Sequence, residues 1–254
     1  MTLGYTQVSL EIQNVDLTAG TLDIYMTNTA GCSYCDESPL DNTTQVLCEA
    51  IEGATWTFNP NMLQSECCAA YPEDLVGICA NNALQTDCPD GVCDAWFDGE
   101  VKGFQFYIKG LTITDVSGGT AEEYLDFIQF SPPTGKVTGL SFGAASIPAG
   151  SAVLTTISFS DAGDGICFVG SGCIDDYDND PSTPNTIEYN VDSASCEAQD
   201  GVIARNVISD TIGLWVDTDW GDCYENDNNW VYGCTYETAT NYNPDATFDD
   251  GSCD

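Results

Sequence analysis

Fourteen cysteines fall into two groups, residues 32–93 and 167–253, and the interval between Cys93 and Cys167 contains none. That interval is filled by short apolar runs of period two, the signature of strands with one buried face, and no helical stripe interrupts it. Val8, Leu10 and Ile12 share one face of a first strand, and Leu22, Ile24 and Met26 one face of a second. After Gly99 the alternation returns in Phe104, Phe106 and Ile108, then Leu111 and Ile113, then Leu140 and Phe142, and finally Val153, Thr155, Ile157 and Phe159. Gly118-Gly119, Pro132-Pro133 with Gly135, and Pro148 with Gly150 supply the turns. Many short strands with regular turn chemistry specify an all-β domain, a sandwich or jelly roll. The cysteines then belong to stapled insertions in that domain, not to a knottin-like scaffold.

Charge narrows the surroundings. The chain carries 41 acidic and four basic residues, no histidine, and a formal charge of −37. A field of that sign repels nucleic acid and anionic membrane, so neither is expected as a partner, and it attracts cations. Self-repulsion opposes compaction unless divalent ions or salt screen it, the Debye length falling to roughly 3 Å at 1 M. Cysteine usage points to an oxidising compartment. The first twenty residues show neither a basic n-region nor an apolar h-region, and no apolar stretch is long enough for a membrane span. Two explanations are expected: a leader already removed, or release by lysis followed by oxidation outside, as for a virion component.

The segments VKGFQFYIKGLTITDVSGG (Val101 to Gly119) and GLSFGAASIPAGSAVLTTISF (Gly139 to Phe159) resemble cohesin-like β-sandwich domains. Gly165-Ile166-Cys167 and Gly221-Asp222-Cys223 are similar to that family's terminal strands, and the resemblance implies that Cys167 and Cys223 end up adjacent. If they do, Cys173 with Cys196 and Cys234 with Cys253 follow by nesting. The expected organisation is a discontinuous sandwich over residues 1–232, with a cysteine-rich insertion at about 30–98, an acidic insertion at about 170–200, and a small module at 233–254. The first insertion holds eight cysteines, which allow 105 pairings and are left unassigned. Cys67 and Cys68 are expected to take different partners, because a vicinal bridge is strained.

The last twenty-two residues, GCTYETATNYNPDATFDDGSCD, enclose Asp, Asn, Thr and Gly between Cys234 and Cys253. They resemble an acidic repeat of surface proteins from marine bacteria and from viruses of marine microbes. Asn241, Asn243, Asp245, Asp249 and Asp250 offer oxygen donors suited to calcium, which takes six to eight of them. Tyr242 and Phe248 are read as a miniature core. In the acidic insertion, Asp176, Asp178 and Asp180 alternate like the opening of an EF-hand loop. Pro181 replaces the turn glycine and Glu188 stands one place beyond the bidentate acid, so an irregular calcium loop competes there with a solvated acidic one. Cys32-x-x-Cys35 and Cys88-x4-Cys93 have zinc-ribbon spacing, but disulfides are expected and zinc is not. Asn42 opens a glycosylation sequon. Trp215, Trp220, Trp230 and Tyr232, beside Asp217, Asp219, Asp222 and Asp227, make a candidate glycan platform, although such rings more often pack a sandwich edge or a subunit contact.

Without histidine, Ser-His, Cys-His and His-ligated zinc chemistry are impossible, and abundant carboxylates make any chosen acid pair uninformative. The expected function is therefore non-enzymatic. It is a disulfide- and calcium-stabilised structural protein of an extracellular or virion surface, partnered by copies of itself or other surface proteins. The alternative is a carbohydrate- or protein-binding recognition module.

Overall fold

The first two alternating runs pair antiparallel as β1 (Val8–Asp16) and β2 (Thr21–Asn28). They open the computed structural model of the chain, which describes residues 6–35, 48, 54–70, 95–163, 165–169, 171–175, 186–189, 202–225, 232–233, 242, 244 and 248–249. The further strands are β3 (Gly31–Cys35), β4 (Trp56–Asn59), β5 (Trp96–Phe97), β6 (Gly103–Lys109), β7 (Thr112–Ser117), β8 (Phe127–Ser131), β9 (Lys136–Leu140), β10 (Gly150–Ser160), β11 (Gly165–Phe168), β12 (Ser171–Asp175), β13 (Thr186–Tyr189), β14 (Val202–Arg205), β15 (Val207–Ser209), β16 (Thr218–Asp219), β17 (Tyr224–Glu225), β18 (Tyr232–Gly233) and β19 (Phe248–Asp249). The helices among the described residues are short, Gln64–Ala70 and Gly119–Tyr124. The fold is all-β and disulfide-rich.

One sheet has the order β16-β1-β2-β10-β7, the other β17-β11-β6-β9-β8, with β15 also on β6. Leu10, Ile24, Leu154 and Ile157 from the first sheet and Phe104, Phe106, Ile108 and Ile166 from the second are fully buried in one shared core. Burying each such side chain stabilises by roughly 1.5–3 kcal/mol, and the facing inner surfaces hold the two sheets together as a sandwich. Asn28, itself buried, donates from Nδ2 to the carbonyls of Gly99 and Pro148 and so ties the end of β2 to two loops.

Two runs differ in phase from their sequence pattern. On β9 the inward residues are Val137 and Gly139, not Leu140 and Phe142, because the Phe104 ring occupies the space a side chain at 139 would need. On β10 a register irregularity between Val153 and Thr155 lets both Leu154 and Thr155 be buried, while Val153 lies at the margin. A bulge adds one residue and shifts the alternation beyond it.

Each insertion contributes a small sheet of its own, β4-β3-β5 in the first and β13-β12-β14 in the second. In the first, Cys32 bonds Cys67 and Cys35 bonds Cys48. Cys68 is also disulfide-bonded, so the neighbouring Cys67 and Cys68 have different partners. The second insertion leaves the sandwich after β11 and returns at β15, both on the same flank of β6. Asn206 closes the gap: its Oδ1 accepts from Tyr107 N–H at 2.9 Å and its Nδ2 donates to Val169 O at 2.7 Å. A side-chain amide thus replaces a missing stretch of ladder.

Candidate functional site

The chain returning from Asn206 carries several of the singled-out residues. Cys167 on β11 and Cys223 form a disulfide one residue from the Ile166–Tyr224 pair that joins β11 to β17. The bridge and Gly221 hold residues 218–225 beside β1, where β16 runs parallel to it, and onward to β11. Gly221 has φ +59°, and a Cβ there would stand 2.4 Å from Leu10 O, so only glycine permits this approach. Beside it, Glu11, Asp219, Asp222 and Glu225 line an open acidic groove along β1.

Trp215 and Trp220 serve different ends. Trp220 packs edge-on to Phe168 with ring centroids 5.7 Å apart, and Phe168 in turn meets Phe106 at 5.4 Å, so Trp220 extends the core. Trp215 is 69% exposed, on a turn organised by Asp210. Asp210 Oδ1 accepts from Ile212 N–H at 3.0 Å and Leu214 N–H at 2.8 Å. Burial, opposed by these bonds and reinforced by the nearby Asp98 charge, pushes the Asp210 carboxyl above the ordinary carboxylate value.

A raised folded pKa means that the folded state holds this proton more tightly than the unfolded chain does. Stability is then lost as pH rises from 3.8 through the folded value. Asp210→Asn keeps the Oδ1 acceptor and removes the charge. The variant is expected to equal wild type at the acid end and to exceed it in urea midpoint at neutral pH. A difference that does not change with pH would show that Asp210 carries no burial penalty.

Of the remaining singled-out residues, Cys173 lies in β12 and pairs in the ladder with Glu188 and Ile203, Tyr232 lies in β18, and Asp249 lies in β19 opposite Gly233. The β18–β19 pairing brings the two ends of the C-terminal segment together. Tyr242 is 38% exposed, more open than a miniature core requires. Asp176, Asp178, Asp180, Asn241, Asn243, Asp245, Asp250, Cys196, Cys234, Cys253, Trp230 and Asn42 lie outside the described residues. Among the described residues no group of three or more His, Cys, Asp or Glu is arranged to hold a metal ion.

A second surface was hidden in the sequence by the phase of β9. Phe127 and Leu140, directly opposed across β8 and β9, are exposed on the outer face, and the 77%-exposed Phe142 reaches the Phe127 ring at 6.1 Å. The turn bearing Phe142 is held by Asp126, whose Oδ2 accepts from Phe142 N–H at 2.9 Å, Gly143 N–H at 3.2 Å and Ser141 Oγ at 3.3 Å. The sequence carried no local signal for it, because Asp126 lies 15 residues before Ser141 and reaches the turn only through the pairing of β8 with β9.

Fold and surface together define a class, an all-β, disulfide-crosslinked and strongly acidic protein whose three described disulfides fit an oxidising extracellular environment. No helix among the described residues is long and apolar enough to cross a membrane. Comparison of the chain with protein-family models, curated proteins and solved structures finds no match in any of the three.

Proposed function

We propose that the chain is a non-enzymatic structural protein of an extracellular or virion surface, a disulfide- and calcium-stabilised subunit that decorates or builds a capsid, tail, fibre or filament. The observation that carries this reading is the way crosslinks close long excursions, two of them within the sheet of the first insertion and one on the sandwich itself. Sequence separations of 13, 35 and 56 residues are closed at β3 and β11. Crosslinks of this kind suit a protein that must persist outside a cell, each contributing typically ~2–4 kcal/mol. Calcium supplies the counter-charge for a −37 chain in this reading. Its ligands are Asn241, Asn243, Asp245, Asp249 and Asp250 in the tail, and Asp176, Asp178 and Asp180 in the acidic insertion.

Light scattering coupled to size-exclusion chromatography, on oxidised protein in calcium and then in chelator, tests the proposal. An oligomer or filament that chelator disperses is the expected result. A monomer in both conditions favours the recognition module instead, for which the exposed Trp215 on its anchored turn is the contact.

A further inference from the structure

Among the described residues the sandwich ends in four edge strands, β16, β17, β7 and β8. Open edges invite pairing with another chain, and proteins blunt them by shortness, charge or irregularity. β16 and β17 have two residues each, and β7 carries Asp115 and an irregular register against β10. β8, FIQFS, has none of these devices: five residues, no charge, no proline, and an unbroken register with β9. Beyond β9, no described residue bonds to its outer edge.

The direction of its backbone groups follows from the ladder, because each residue of an antiparallel strand bonds alternately to one neighbour and then the other. Ser141 N–H goes to Lys102 O at 3.0 Å and Gly135 O accepts from Ile108 N–H at 2.9 Å, both on the β6 side. Lys136, Thr138 and Leu140 therefore turn to β8, where Phe127, Gln129 and Ser131 meet them. Ile128 and Phe130 are left presenting N–H and C=O outward, and their side chains lie half-buried at the margin of the core.

We infer that β8 is an interface between two copies of this chain, paired antiparallel about a two-fold axis at Gln129; the inference rests on the assembly reading above. In that register Ile128 of each copy exchanges hydrogen bonds with Phe130 of the other, and the two sandwich cores become continuous through these side chains. No other centring does this: an axis at Phe130 sets Ile128 against Pro132, which has no N–H. Charge selects the occupant. A basic partner is drawn to the 41 acidic residues, none of which lies in β8, whereas an uncharged edge is where a second strongly acidic chain can approach without opposing like charges. A self-complementary strand closes a two-fold dimer.

The full oxidised chain is compared by sedimentation velocity at about 0.1 M and 1 M salt, the higher salt screening the general repulsion. Wild type is expected to dimerise, more tightly in high salt. Gln129→Glu sets two carboxylates face to face at the axis and is expected to weaken the dimer about tenfold or more, while the urea midpoint, read at a concentration where both proteins are monomeric, is unchanged because Gln129 is exposed. Gln129→Cys places two thiols at a non-hydrogen-bonded pair, Cα atoms about 4.5 Å apart, within disulfide reach. It is expected to crosslink copies under mild oxidation where Thr114→Cys on β7 does not. An oligomer that survives Gln129→Glu, with no crosslink through Gln129→Cys, overturns the inference and leaves the assembly reading standing. A chain monomeric at both salts with no such crosslink also overturns it, and the calcium-dependent scattering then judges the assembly reading separately.

Discussion

Phe106→Ala is expected to destabilise the fold by about 3–5 kcal/mol, the range for emptying a buried aromatic site. Phe106 has no exposed surface, stacks on Phe104 at 5.7 Å and takes the edge of Phe168 at 5.4 Å. Trp220 packs edge-on to Phe168, so the row Phe104, Phe106, Phe168, Trp220 ties β6 to β11 and to the segment 218–225 that joins the two sheets. Neighbouring rings cannot collapse into the gap without giving up contacts with one another, which places the cost in the upper part of the range. The reading is a lower urea midpoint at unchanged slope. A loss below about 1 kcal/mol would show that the two sheets do not share a packed core at this point.

Removing the Cys167–Cys223 bridge in the double variant Cys167→Ser/Cys223→Ser is expected to cost about 4 kcal/mol under the chain-entropy account, given the separation of 56 residues. The bridge encloses the whole acidic insertion. Without it, the segment that passes from β1 to β11 is retained by the two-residue pairings of β16 and β17 and by the close approach of Gly221. Loss of protection at Ile166 and Tyr224 in hydrogen exchange should accompany the thermodynamic loss. If the double variant unfolds at the wild-type midpoint, the unfolded chain is already constrained by its other crosslinks and this bridge is redundant.

How much of this was legible depends on the strand. In β1, β2 and β6 the apolar residues recur at every second position on the face that is buried, so sequence and structure agree on Val8, Leu10, Leu22, Ile24, Met26, Phe104, Phe106 and Ile108. β9 misleads because its inward position opposite Phe104 is Gly139, which carries no hydrophobic signal, while the outward Leu140 carries a strong one. β10 misleads because a bulge changes the phase in mid-strand. Cysteine pairing in the first insertion was unreadable for a combinatorial reason. Only β3, lying between β4 and β5 with the helix Gln64–Ala70 against it, selects Cys67 for Cys32.

Among the candidate site residues, Trp215 and Trp220 are neighbours in type and sequence, yet one is exposed and the other packed on Phe168, a distinction periodicity does not contain. The β8 surface was invisible for a related reason. FIQFS reads as an ordinary strand, and whether a strand is central or an edge depends on the order in which distant segments pair.

By itself the sequence determined the all-β class, the cysteine-bearing insertions and the acidic, oxidising setting, because these follow from period, composition and charge, which are local or additive. Only the tertiary structure decided which alternate residues face the core after a bulge, which cysteines meet, and that uncharged β8 ends a sheet while acidic residues line the groove at β1. Those outcomes depend on contacts between residues far apart in the chain, whose energies no single segment encodes.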